Sequence, residues 1–132
     1  MTTPAEIGLK RWHETIENRD PALLPGIIAE GAVFRSPAVH TPQEGRDLVA
    51  AYLTGAMIVL GPTLTYHDEW VRERDAVLHF TCEVDGLQVE GVDMITWDDA
   101  GQIIGFTVMV RPLKALNAVV ARMGEELAKL AG

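Results

Sequence analysis

Gly91-Val92-Asp93-Met94-Ile95-Thr96-Trp97-Asp98-Asp99-Ala100-Gly101-Gln102-Ile103-Ile104 reads as a strand, a tight acidic turn and the start of a second strand. Val92, Ile95, Thr96 and Trp97 are β-branched or aromatic, the types that suit a pleated, half-buried surface. Asp98-Asp99-Ala100-Gly101 supplies the polar turn chemistry that breaks the run. One carboxyl, Asp93, interrupts the apolar strand. An acid in a buried strand needs a partner or a proton, which makes this residue the first candidate for function.

The same texture continues on either side. Leu64 to Arg72, Ala76 to Val84, Leu87 to Trp97 and Ile103 to Arg111 are four candidate strands, parted by Arg74-Asp75, Asp85-Gly86 and the 98–101 turn. Asp-Gly between two such runs signals a hairpin. Connections this short leave no room for parallel crossovers, so the four should form an antiparallel meander. Upstream the period becomes helical. Thr3-Pro4-Ala5-Glu6 has the form of a helix start, with Thr3 as N-cap and Pro4 at the first helical position. Ile7, Leu9, Trp12 and Ile16 follow at near-helical spacing, and Pro21 stops the helix. A short helix from about Ala22 to Ala29, a short strand from Ala32 to Arg35, a proline loop from Ser36 to Glu44 and a helix from Arg46 to Leu60 come next. Pro112 opens a last helix to about Leu130, with Leu113, Leu116, Val120, Met123, Leu127 and Leu130 as its apolar stripe.

Helices gathered ahead of a curved antiparallel sheet pack on one of its faces. The expected architecture is therefore α+β: a cone-shaped roll, with a curved antiparallel sheet wrapped by N-terminal helices around one apolar pocket. Residues 1–132 are expected to form one domain, a length that sustains its own core. The formal charge of −8 and the scattered Lys and Arg exclude a basic patch, so nucleic acid is not an expected partner. No apolar stretch is long enough to span a membrane, and Met1 to Lys10 lacks a signal-peptide pattern. Cys82 is the only cysteine, which rules out an internal disulfide and makes a reducing cytoplasm the expected compartment. It sits in a strand-like run, as a small buried hydrophobe would.

The order of elements, together with Arg11-Trp12 ahead of Asn18-Arg19-Asp20, the stretch Ala32-Val33-Phe34-Arg35-Ser36-Pro37 and the 91–104 segment, resembles the nuclear transport factor 2-like superfamily. That group includes the ketosteroid isomerases, limonene epoxide hydrolases, scytalone dehydratase and the SnoaL-type polyketide cyclases. The resemblance implies a homodimer through the sheet. It also lays the three pocket residues of ketosteroid isomerases on this chain: the tyrosine of the first helix falls at Trp12, the catalytic base at Ser36 and the oxyanion-hole aspartate at Asp93. Only Asp93 matches. A serine hydroxyl is a very poor base near neutral pH, so the isomerase chemistry loses its usual base. The complete Arg/Asp/Asp set of the epoxide hydrolases is missing too, since strand parity puts Arg111 and Asp93 on opposite faces.

Alternation along the strand that carries Asp93 brings Val89, Gly91, Ile95 and Trp97 to the same side. The family register adds Ile104, Phe106, Val108 and Val110. On the strand before, Val77, His79, Thr81 and Glu83 share a face, but which face is inner stays open. The outer sheet face is expected to show Thr107, Met109, Phe80 and Tyr66. Asp93 is the candidate catalytic group: either a buried, neutral carboxyl that donates to a ligand carbonyl or a structural carboxylate. Candidate substrate contacts are Trp12, Ser36, Phe106, Val108 and His40, each with a plainer reading as core, turn or solvated loop. His13, Glu125, Glu126 and Lys129 are expected to face solvent. Successive residues His67, Asp68 and Glu69 should not converge on one ion, so no metal is expected, and no cofactor. The function these readings imply is binding of a small hydrophobic carbonyl or hydroxyl compound, with cofactor-independent proton transfer of the isomerase, dehydratase or cyclase type. The alternative is a non-catalytic ligand-binding or interaction domain of the same fold.

Overall fold

The computed structural model describes residues 2–131. Helix α1, Pro4–Asn18, starts where Thr3 accepts the amide of Glu6 at 3.2 Å and ends with Arg19 in the left-handed region. A 3-10 turn over Pro21–Ile27 leads into strand β1, Ile28–Arg35, and then a two-residue strand β2, Gln43–Glu44. Helix α2 spans Arg46–Leu60, and a short 3-10 turn, Gly61–Thr63, follows it. Strands β3 (Thr65–Val71), β4 (Asp75–Val84), β5 (Leu87–Trp97) and β6 (Ile103–Arg111) precede helix α3, Leu113–Ala131. The sequence places α2 and the long strands closely. It misses β2 and starts β1 four residues late, because Pro25 and Gly26 suggest a longer helix than the 3-10 turn they form.

The strands make one sheet in the order β2-β1-β6-β5-β4-β3. The expected meander β3-β4-β5-β6 is present and antiparallel. The addition is β1, which lies parallel to β6, with Phe34 beside Phe106. Asp85 and Gly86, both at positive φ, close the β4–β5 hairpin in the two-residue form that matches strand twist. Gly91 lets β5 pack tightly against its neighbours: a Cβ there would meet the Met109 carbonyl and the Phe80 ring at 2.4 and 2.6 Å. The helices cover the concave face. Arg46 ties the start of α2 to the Ile28 carbonyl at 2.8 Å, and Arg11 ties α1 to Ala100 at 3.1 Å.

Parity along β4 settles the open question of its faces. Ala76, Leu78, Phe80, Cys82 and Val84 point into the core, so Val77, His79, Thr81 and Glu83 point outward. Phe80 and Tyr66, expected on the convex face, both turn inward; Thr107 and Met109 do lie outside. A bulge between Thr96 and Trp97 shifts the register of β6, burying Ile103 and leaving Ile104 39% exposed, the reverse of the expected set. A second bulge, between Tyr66 and Asp68, brings His67 and Asp68 to the same convex side, where strict alternation would have separated them. Helix α3 buries Ala115 and Val119 rather than Leu113, Val120 and Leu130, which stay exposed. Glu126, expected in solvent, is buried and accepts from Lys129 at 3.1 Å.

Candidate functional site

Between the concave sheet face and the helices lies a cavity of about 220 Å³. Its walls are Phe34, Phe80, Phe106 and Val108 from the sheet, Trp12 from α1, and Leu53 and Met57 from α2, among others. Its rim includes Ser36 to Val39 and the α3 residues Val120, Met123 and Gly124. This lining is almost wholly hydrocarbon. Asp93 is the exception in charge: it faces inward from β5 between Leu78 and Val108 and is only 6% exposed.

Three polar side chains meet at this end of the cavity. The indole N–H of Trp12 donates to the Tyr66 hydroxyl at 3.0 Å, and that hydroxyl donates to Asp93 Oδ2 at 2.5 Å. The direction is fixed at its start, because an indole can only donate. Burial pushes the Asp93 carboxyl up to about 7, with the Tyr66 hydrogen bond pulling partly the other way. Burial, and then the charge of Asp93, hold the Tyr66 phenol well above its ordinary range. Oδ1 of Asp93 has no hydrogen-bond partner among the described residues, and its residue lines the cavity without being fully sealed by its neighbours. It therefore keeps access to the cavity.

The remaining candidates divide. Trp12, Ser36, Phe106 and Val108 all line the cavity. Ser36 does so while its Oγ accepts the amides of Ala38 and Val39 at 3.1 and 3.2 Å, the turn chemistry of a serine before proline. His40 does not join them: it is exposed, one residue beyond the rim, because the 36–39 turn carries the chain away from the opening. Tyr66 is the candidate-site residue missed in the sequence. Leu64 and Tyr66 alternate with Thr65 and His67, which is the signal of an inward pair, but the bulge that follows hides it. His13 also departs from its solvent assignment. It packs edge-on to Tyr66, ring centroids 5.6 Å apart, and bonds to Glu69. Cys82 is buried near Asp93, and burial raises its thiol to about 11, an unreactive state.

The profile of the SnoaL-like domain matches residues 9–106. The chain belongs to this SnoaL-like family. Among solved structures, this SnoaL-like chain is similar to a steroid delta-isomerase from Pseudomonas aeruginosa at 38% identity, covering 98% of this chain and 96% of that one, with a TM-score of 0.91. It is also similar to a bacterial protein of cystatin-like fold from Silicibacter pomeroyi DSS-3, at 31% identity and TM-score 0.83, covering 89% and 83% of the two chains. A protein from Jannaschia sp. CCS1, described as a SnoaL-like polyketide cyclase, shares the fold at 14% identity and TM-score 0.69, covering 92% and 96%. A comparison with curated proteins returns no match. The SnoaL-like domain lies within the nuclear transport factor 2-like superfamily, as the three sequence stretches and the order of elements indicate. No helix among the described residues is long and apolar enough to cross a membrane.

Proposed function

We propose that this SnoaL-like domain binds a small hydrophobic carbonyl or hydroxyl compound in the concave cavity, with Asp93 as its central polar contact. The observation that carries this reading is a buried carboxyl whose free oxygen opens onto a hydrocarbon cavity, while its other oxygen is held by Tyr66. When protonated, Asp93 donates to a ligand carbonyl; when ionised, it accepts from a ligand hydroxyl. A value near 7 keeps both forms accessible at neutral pH, the condition for general acid–base work. Proton transfer at carbon would run through Asp93 alone, which removes the proton and returns it, because Ser36 is too weak a base. Such isomerase, dehydratase or cyclase chemistry needs no cofactor. The likeness to a protein described as a steroid delta-isomerase supports the isomerase form.

The convex face supports a second role for the same chain, self-association through the sheet, because Met94, Ile104 and Met109 are exposed on it.

Thermal denaturation with a panel of hydrophobic ketones and phenols tests the first reading. A ligand at a hundred times its Kd should stabilise the protein by about 2.7 kcal/mol. Asp93→Asn should weaken the best hit and remove any turnover that titrates near neutrality. Equal binding by wild type and Asp93→Asn would take away the role assigned to this residue.

A further inference from the structure

We infer that the cavity selects a neutral, two-ring compound with an oxygen at its buried end, and excludes both anions and four-ring skeletons; this rests on the reading of the cavity as a ligand site. Size comes first. An engineered cavity of about 150 Å³ with aliphatic and aromatic walls holds one benzene ring. At 220 Å³ the cavity here is about half as large again, enough for about nine to twelve non-hydrogen atoms, or roughly two fused rings. Large side chains bound it on opposite sides: Phe34 and Phe106 on the sheet, Tyr52 and Met57 on α2, and Met123 on α3.

Charge comes second. Among the described residues lining the cavity there is no Lys, Arg or His, and the one ionisable acid is Asp93. A carboxylate or phosphate would lose its water and meet no cation, beside a group that carries negative charge when it ionises. Polarity comes third. The free Asp93 oxygen and the Tyr66 hydroxyl are gathered at one end, and the only other side-chain hydroxyls among the described lining residues are those of Tyr52 on α2 and Ser36 at the rim.

Isothermal titration with cyclohexanone, tetralone, naphthol, naphthoate and androstenone reads size and charge, and Asp93→Asn reads the polar end. Tetralone and naphthol should bind about tenfold or more tightly than cyclohexanone, since a fused ring adds several buried methylenes. Naphthoate and androstenone should bind about tenfold or more weakly than tetralone. Met123→Ala, and independently Val120→Ala at the exposed rim, should narrow the gap between androstenone and tetralone without helping naphthoate. Androstenone or naphthoate binding wild type as tightly as tetralone, with affinity still lost in Asp93→Asn, would overturn the selectivity and leave the ligand site standing. No binding by any of the five would overturn both.

Discussion

Asp93 and Glu90 are three residues apart on the same strand and differ in almost everything that decides a carboxyl's chemistry. Asp93 points into the concave core, where burial raises its pKa to about 7 and its hydroxyl partner Tyr66 only partly offsets the effect. Glu90 points outward, where it bonds to His79 at 2.7 Å and Arg111 at 2.8 Å, and these bonds hold its carboxyl below the ordinary range. Strand parity assigns the two faces, and the faces assign the chemistry. One side of the sheet is built to keep a proton near neutral pH, while the other carries screened ion pairs that water already solvates.

The contrast is sharpest in packing. Phe106→Ala should cost about 4 kcal/mol in denaturant unfolding, since the ring is buried beside Trp12 and Phe34. Met109→Ala, on the same strand but 55% exposed, should change stability by less than about 0.5 kcal/mol. Equal losses would mean that the convex face is not free.

Next comes pH. Asp93 binds its proton more tightly when folded than when unfolded, so its contribution to stability is fully present below about pH 4 and declines as pH rises towards about 7. Above that the penalty is constant, at most about 4 kcal/mol. The difference between wild type and Asp93→Asn, followed by chemical denaturation from pH 4 to 8, should show this slope; a flat difference would place the carboxyl in an ordinary environment.

Tyr66→Phe removes the hydroxyl that links Trp12 to Asp93 and leaves both without a partner, a loss of about 2 kcal/mol. Infrared titration of Asp93 in this variant should move further upward, because the Tyr66 bond now holds it down. The smallest effect belongs to Glu90. Its titration by NMR should rise towards the ordinary glutamate range in Arg111→Ala and His79→Ala, while Asp93 stays where it is.

The cone-shaped fold was legible because its signals are local. Asp85-Gly86, the 98–101 turn and the Thr3-Pro4 helix start each act within a few residues. Asp93 was legible for the same reason, as a lone acid in an apolar strand whose alternation is unbroken from Val89 to Trp97. Tyr66, Ile103 and His13 were not. Two bulges decide the first two, and an extra residue in one strand depends on its pairing with a neighbour. Contact between α1 and β3, 56 residues apart in the chain, decides the third.

By itself, then, the chain determined where the three α-helices and the four long strands run and that Asp93 lies in the core, because propensity, turn chemistry and periodicity are properties of neighbouring residues. Only the tertiary structure decided that Trp12, Tyr66 and Asp93 form one directed hydrogen-bond chain, that His40 stands outside the cavity, and how large that cavity is. Those outcomes depend on how the sheet bends and where its register slips, and both are set by distant strands packing together.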